Sequence, residues 1–301
     1  MLELRNPRIA IPVVLFAGLL WSFGPLVVRY MDNPQLVPWQ YIFGRGLTIF
    51  ILLNLYLFFE EGKNFYKNYY KIGLSGVIGG SGLGIAMITF IYSITNTSAA
   101  VTLLCLAAMP FFTALLAFLF LREKISLNVW ISIIIATAGI IIMALGNTGE
   151  KSLIGFVFGL TSSIGFSVFS VTLRWRKETP KFTTVAFAGL FCFVFATIMI
   201  LSNNLVFFSS SYNGALFSLH GTLVCFGLIL YSIGSKAIPA AELTLLSLTE
   251  VVGGIFWVWL PLFGINEVPS TNTIIGGFFL FVSIFYYSLI MRWNKRYIAL
   301  N

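Results

Sequence analysis

The sequence predicts an all-α membrane protein of ten transmembrane helices, arranged as two inverted five-helix repeats. Its composition and an internal repeat are the observations that predict this fold. Of 301 residues, 58% are hydrophobic and 9% are charged, and the mean hydropathy is +0.95. A soluble domain carries about 25% charged residues, and a chain this apolar would leave more apolar surface than a protein in water can expose. The composition therefore excludes a soluble enzyme.

Ten apolar runs, bounded by charges, proline or asparagine, are each long enough to cross a bilayer, which takes about 20 residues. They cover residues 10–30, 38–59, 71–93, 98–120, 128–146, 152–173, 183–203, 215–234, 239–263 and 271–291. All three cysteines lie inside these runs, so we interpret them as small apolar residues and not as a disulfide framework.

The basic residues indicate the orientation of these spans. Fifteen of the 18 Lys and Arg fall on the side that holds the N-terminus, whereas Arg29 and Lys151 fall on the other side and Arg45 lies within a span. The positive-inside rule then places both termini in the cytoplasm, and we expect a multi-pass protein of the bacterial inner membrane. Because topology accounts for the net charge of +8, no nucleic-acid partner is predicted.

The two halves of the chain repeat each other at a nearly constant offset. Gly18-Leu19, Ser22 and Gly24 recur with the same spacing as Gly159-Leu160, Ser163 and Gly165, and Tyr92-Ser93-Ile94 recur as Tyr231-Ser232-Ile233. The predicted units are residues 1–147 and 148–301. Each holds five helices, an odd number, so the two units enter the membrane from opposite sides. Inverted repeats are typical of secondary transporters, in which each half supplies one wall of a central site; a purely structural duplication is the alternative.

Several segments resemble the EamA-domain branch of the drug/metabolite transporter superfamily. They are Leu20-Trp21-Ser22-Phe23-Gly24, Phe43-Gly44-Arg45-Gly46-Leu47, the stretch from Ser98 through Met109-Pro110 to Glu123, and the stretch from Pro239 through Thr249-Glu250 to Ser270. The resemblance covers nearly the whole chain. It implies ten helices, alternating access and transport of a small organic solute. The family usually carries a proline after the second-half glutamate; here Val251 follows Glu250, so the residue that would break the ninth helix there is missing.

Two charges inside the predicted spans are the sharpest candidates for a site, because a charge at the centre of a helix costs about 2.5–3.5 kcal/mol on insertion scales. Glu250 lies near the middle of the ninth span and Arg45 in the outer half of the second. On a continuous helix Ser247, Gly254 and Trp257 would share the face of Glu250. We predict that Glu250 meets a cationic group of the solute and Arg45 an anionic one. A structural pair between the two charges is the alternative.

Other candidates are less specific. Trp21, deep in the first span, and Trp257 are predicted walls of the site, beside the repeat-equivalent Ser22 and Ser163. Gly80 is a candidate hinge, with close helix packing as the alternative. The repeat-equivalent Tyr92 and Tyr231 are candidate gates, with interfacial aromatic belts as the default. Pro25 and Pro110 are predicted to kink their helices.

His220 is the only histidine, and the predicted spans place it far from Glu250. We interpret it as a packing residue with one hydrogen bond. An enzyme acting on a lipid or peptide, the alternative function, would need a His–carboxylate or Ser–His arrangement at one depth. No cofactor or metal ligand set is predicted.

The sequence thus predicts a secondary transporter, an exporter or exchanger, for a small polar or zwitterionic metabolite such as an amino acid or amine. It would work as a monomer or weak dimer among membrane lipids, with the proton as the candidate coupling ion.

Overall fold

The computed structural model describes residues 7–122, 127–146, 150–176, 178–238 and 240–298, and no residue in these ranges lies in a β-strand. The predicted all-helical class is therefore confirmed for this part of the chain. The boundary predicted between the two repeats, after residue 147, lies outside the described residues.

The described helices follow the predicted spans in order, with one short extra helix, α4, between the second and third. In chain order they are α1 (Pro7–Trp21), α2 (Gly24–Tyr30), α3 (Pro38–Glu61), α4 (Lys67–Tyr70), α5 (Gly73–Asn96), α6 (Ala99–Leu106), α7 (Met109–Leu121), α8 (Leu127–Gly146), α9 (Glu150–Trp175), α10 (Lys181–Ser202), α11 (Ser211–Gly234), α12 (Ala240–Leu246), α13 (Thr249–Trp259) and α14 (Thr271–Ile298).

Within the described ranges, seven segments are long and apolar enough to cross a membrane, and three shorter apolar helices coincide with the remaining predicted spans. The seven are Ile9–Tyr30, Pro38–Asn64, Gly73–Asn96, Ala99–Leu121, Leu153–Trp175, Lys181–Ser202 and Ser211–Gly234; the shorter ones are Trp130–Gly146, Leu243–Trp259 and Thr271–Ser283. The chain is thus a multi-pass membrane protein. The count of ten spans and their inverted arrangement stay predictions.

Three of the predicted spans are broken near their middle, between α1 and α2, α6 and α7, and α12 and α13. Pro25 and Pro110 stand in the first turn of α2 and α7, where proline is tolerated because the N–H it lacks would have no partner within the helix. The kinks predicted at these prolines are therefore confirmed. The third break occurs without a proline. It follows the second at nearly the offset of the sequence repeat, since α6 ends at Leu106 and α12 at Leu246.

The main helix contacts join the first half of the chain to the second. α5 packs along α9, α1 along α11, α3 against α10 and α11, α10 also against α5, and α8 against α14. Glycines allow the closest approach: a Cβ on Gly82 of α5 would lie 3.0 Å from the carbonyl oxygen of Gly165 on α9, and one on Gly165 would lie 2.6 Å from that of Gly82. Close backbone contact of this kind is how membrane helices associate.

Candidate functional site

A cavity lies where the three helix breaks meet. Its lining includes Trp21 at the end of α1, Leu106 and Met109 on either side of the α6–α7 break, and Glu250 at the start of α13. The remaining wall comes from α3, α5, α9 and α11. The cavity has about 60 Å³ of room for the centres of water-sized molecules. The space suits a small solute.

Most of the cavity wall is apolar. The aliphatic and aromatic residues in it are Leu83, Ala86, Met87, Phe90, Leu106, Met109, Phe166, Val224 and Leu228. Polar groups come from a short set of side chains, Trp21, Arg45, Ser162, His220 and Glu250. Apolar walls with a few placed polar groups are typical of small-molecule sites, in which the polar groups orient the ligand.

Arg45 projects from α3 and is 2% exposed. Its Nη2 donates to the carbonyl oxygen of Met87 at 2.5 Å, whereas its Nε is buried without a hydrogen-bond partner. A buried charged donor without an acceptor is unfavourable. The guanidinium therefore has hydrogen-bonding capacity left for an anionic group in the cavity.

Glu250 lies in the first turn of α13, where the helix dipole favours a carboxylate. No described residue donates a hydrogen bond to its carboxylate, and no ion pair joins it to Arg45 within the described part of the chain. The direct structural pair considered as the alternative is thus not found there. The two opposite charges line one cavity without closing on each other.

His220 lines the same cavity as Arg45 and Glu250, so the interpretation that placed it far from Glu250 is wrong. The apolar pattern begins at residue 215, but α11 begins at Ser211, which makes His220 the tenth of its 24 residues and moves it towards the middle of the helix. The single hydrogen bond expected of it is present: its Nδ1 pairs with the hydroxyl of Tyr41. The sequence analysis began this span too late because the first turn of α11, Ser-Tyr-Asn-Gly, is polar.

Trp21 lines the cavity. Its Nε1 donates to the carbonyl oxygen of Val224 at 3.3 Å, and its ring packs against Phe166 and Tyr231 at 5.7 and 5.5 Å between centroids. Gly227 gives the indole its place, because a Cβ there would lie 2.1 Å from Trp21 Nε1. Tyr231 is fully buried, and its hydroxyl bonds to Ser170 at 2.8 Å.

Ser247 lies in the break between α12 and α13. Ser247 is the last residue before Leu248, the N-cap of α13, and its hydroxyl donates to the carbonyl oxygen of Thr244 at 2.8 Å. The backbone N–H of Glu250 donates to the carbonyl oxygen of Ser247 at 2.9 Å, and the shared face predicted for their side chains stays a prediction. Ser247 lies outside the cavity lining.

Trp257, Ser22 and Ser163 also lie outside the lining. Trp257 Nε1 donates to Ser22 Oγ at 2.9 Å, and the indole stacks on Phe23 with centroids 5.1 Å apart. Ser163 Oγ donates to the carbonyl oxygen of Cys105 at 2.6 Å, just before the α6–α7 break. These polar groups satisfy one another or the backbone, as groups inside an apolar segment must.

The candidate hinge and gate residues have contrasting surroundings. α5 runs unbroken through Gly80, where a Cβ would lie 2.9 Å from the carbonyl oxygen of Thr184 on α10, so the structure favours close packing there. Tyr92 is half-buried against Trp39 and Phe158, unlike its buried repeat partner Tyr231. Their gating roles stay predictions.

The chain is similar in sequence to one family model and to curated relatives. Residues 8–145 match the family model of the EamA-like transporter family. An "Uncharacterized transporter" of Helicobacter pylori strain J99 is 28% identical over 164 residues, 54% of this chain and 52% of that protein. Another, of Clostridium kluyveri, is 30% identical over 113 residues, 36% of this chain and 35% of that protein. The chain thus spans about half the length, or less, of these curated relatives.

A solved crystal structure has the same fold: it superposes with a TM-score of 0.65 over 95% of this chain and 99% of that chain, at 16% identity. The two curated relatives are both named as transporters. The resemblance predicted from the sequence is confirmed in the first half, where residues 8–145 match the model of the EamA-like transporter family.

Proposed function

We propose that the chain is a secondary transporter that carries a small zwitterion, of the amino-acid type, by alternating access. The observation that carries the proposal is the cavity in which Arg45 and Glu250 stand apart, each without an ionic partner among the described residues. The guanidinium of Arg45 would bind the carboxylate of the solute and Glu250 its ammonium group. The apolar wall would hold the side chain, and the small cavity limits that side chain in size.

Alternating access rests on the proposed inverted repeat, and the helix contacts support it. If the first five spans correspond to the last five, the α5–α9 contact corresponds to α11–α1, and α3–α11 corresponds to α10–α5. Both pairs of contacts are present. The α6–α7 and α12–α13 breaks also occupy corresponding places, after Leu106 and after Leu246. Two such halves rocking about a shared site are how inverted-repeat transporters expose it to each side in turn.

The proposal includes ten spans, both termini in the cytoplasm, a bacterial inner membrane and movement without ATP, as an exporter or exchanger with the proton as the candidate coupling ion. The charge asymmetry of the predicted loops supports this orientation.

One observation supports the alternative function, an enzyme acting on a lipid or peptide: His220 and Glu250 line one cavity. In the described structure, however, the carboxylate is not hydrogen-bonded to His220, whose Nδ1 is paired with Tyr41. Ser162, the serine in the lining, donates to the carbonyl oxygen of Ala86 at 2.9 Å. No nucleophile–base pair of the kind that activates a serine is formed there, so transport is the function that this geometry supports better.

The test is a binding and transport experiment on the purified wild-type protein. Thermal-shift screening against the twenty standard L-amino acids is paired with the same screen against the amine that lacks each carboxylate and the carboxylic acid that lacks each amino group. A bound solute stabilises by mass action. We expect stabilisation by a subset of small amino acids and weaker stabilisation by both counterparts. Liposomes holding the protein are then expected to exchange those radiolabelled amino acids without ATP.

Protein-free liposomes are the control for leakage. If the amines stabilise the wild-type protein as much as the amino acids do, Arg45 does not contribute to binding as proposed. Protein that is stabilised by no amino acid and exchanges none would overturn the proposed substrate class. Turnover of a lipid or peptide without exchange would establish the enzyme instead.

A further inference from the structure

The contact between Tyr41 and His220 determines which ring nitrogen of the histidine donates a hydrogen bond. Tyr41, one turn before Arg45 on α3, is fully buried, and its hydroxyl hydrogen-bonds to His220 Nδ1. The two rings stack with centroids 5.7 Å apart. The guanidinium of Arg45 lies 5.9 Å from the centroid of the same Tyr41 ring. Tyr41 therefore contacts both the guanidinium of Arg45 and the imidazole of His220.

The buried hydroxyl hydrogen of Tyr41 needs an acceptor. Among the described residues its one hydrogen-bond partner is His220 Nδ1, so Tyr41 donates and Nδ1 accepts. In the neutral ring the hydrogen is then on Nε2, because a neutral imidazole carries it on the nitrogen that does not accept. A protonated ring would also carry a hydrogen on Nε2. Nε2 is thus a donor in both states, and no described group accepts from it.

Gly24 leaves room for this nitrogen at the α1–α2 break. A Cβ on Gly24 would lie 2.6 Å from His220 Nε2. The imidazole edge is therefore held between Tyr41 on one side and the glycine backbone on the other. His220 lines the cavity in this position together with Arg45.

We propose that His220 is a further solute-binding residue, which donates a hydrogen bond from Nε2 to the carboxylate of the solute beside Arg45. Tyr41 is a positioning residue that holds the ring and keeps the donor on Nε2. This inference rests on the proposed function, because it assigns a partner to the carboxylate of the transported zwitterion. It predicts that recognition of the carboxylate depends on a donor at the position of Nε2.

The experiment compares three replacements of the histidine with the same panel of twenty L-amino acids and their decarboxylated amines. Gln places an amide N–H near the position of Nε2, Asn places one near Nδ1, and Leu has no donor. We expect H220L to bind the amino acids at least ~10-fold more weakly, the loss typical of a hydrogen bond to a charged group, and the amines as the wild type does. H220Q restores most of the affinity for the amino acids and H220N does not. T222V is the matched control on α11, since the Thr222 hydroxyl donates to Ser218 on the same helix.

Tyr41 is tested through the same selectivity. Y41F is expected to lower the ratio of amino-acid to amine affinity by a few-fold, whereas a structural role alone would weaken both ligands together. If H220L does not fold, the comparison of H220Q with H220N decides: equal amino-acid affinities for these two variants overturn the inference. Wild-type selectivity in a folded H220L also overturns it, as does an equal loss of amines and amino acids. Failure of the wild type to bind any amino acid is a different result, since it overturns the proposed function itself.

Discussion

The guanidinium of Arg29 forms an ion pair with Glu267, with Nε 2.7 Å from Oε2, between residues 238 positions apart in the chain. The same guanidinium donates to the carbonyl oxygens of Ile94 and Thr97 at 2.8 and 3.1 Å. The backbone N–H of Ala99 donates to Glu267 at 2.6 Å. One ion pair thereby joins the end of α2, the end of α5, the start of α6 and the segment after α13.

Loss of Glu267 is expected to destabilise the protein. E267A leaves Arg29, about 20% exposed, without its anion and Ala99 N–H without its acceptor. Hydrogen bonds to charged groups contribute about 1.5–3 kcal/mol, so we expect a loss of about 2 kcal/mol in the free energy of unfolding. The measurement is thermal unfolding in detergent. K236A, which removes an exposed charge, is the control. An unchanged unfolding midpoint for E267A would show that the network contributes nothing.

The spans were predictable because bilayer thickness imposes a length and a composition on each of them. The second span, predicted at 38–59, forms the helix Pro38–Glu61. The breaks at Pro25 and Pro110 were predictable for a similar reason, since proline removes a backbone donor. Both predictions depend on properties local to a segment.

The site was less predictable because it depends on contacts between distant segments. No proline marks the break after Leu246. The bond from Trp257 to Ser22 joins residues 235 positions apart. The depth of His220 depends on where α11 begins, in a polar turn that hydropathy assigns to a loop. The intramembrane charges Arg45 and Glu250 were recognisable because burying a charge is costly enough to need a reason.

Gly227 is expected to be required for the cavity wall. In G227A the new Cβ would overlap Trp21 Nε1 and displace the indole from the carbonyl oxygen of Val224. We expect at least a ~10-fold loss of affinity in the amino-acid panel, as expected when a small shift disturbs a well-packed site. The measurement is the same thermal-shift titration.

The matched control lies on the same helix. A Cβ on Gly214 would come no closer than 3.5 Å to Phe208, so G214A is expected to bind as the wild type does and to be stabilised by about 0.5–1 kcal/mol. Equal binding by G227A and G214A would show that the position of Trp21 does not matter to the solute.

The orientation can be tested by cysteine labelling, because the native cysteines Cys105, Cys192 and Cys225 are buried. V206C and V268C replace exposed residues on the side predicted to face outwards. They are expected to react with a membrane-impermeant maleimide on intact cells. K63C and K236C, on the predicted cytoplasmic side, are expected to react only after permeabilisation. Labelling of K63C on intact cells would contradict the orientation and the inverted repeat with it.

Glu250 offers the most demanding test, because its two proposed partners predict different results. If Arg45 were its partner in the empty protein, E250Q would strand that guanidinium and impair folding. The absence of an ion pair between them in the described structure favours the solute instead. E250Q is then expected to fold, with a symmetrical gel-filtration peak, and to bind the amino acids at least ~30-fold more weakly, the lower end of the cost of losing one partner of a buried charge pair.

Proton coupling through Glu250 adds a second expectation. The charged and titratable groups that share its cavity are Arg45 on α3 and His220 on α11, and both remain in E250Q. Exchange by the wild type is expected to vary with pH, because a protonated carboxylate no longer attracts an ammonium group, whereas E250Q removes that dependence. E178Q makes the same chemical change at an exposed position between α9 and α10 and is expected to behave as the wild type. A folded E250Q that binds and exchanges amino acids like the wild type at every pH would refute the role assigned to this carboxylate.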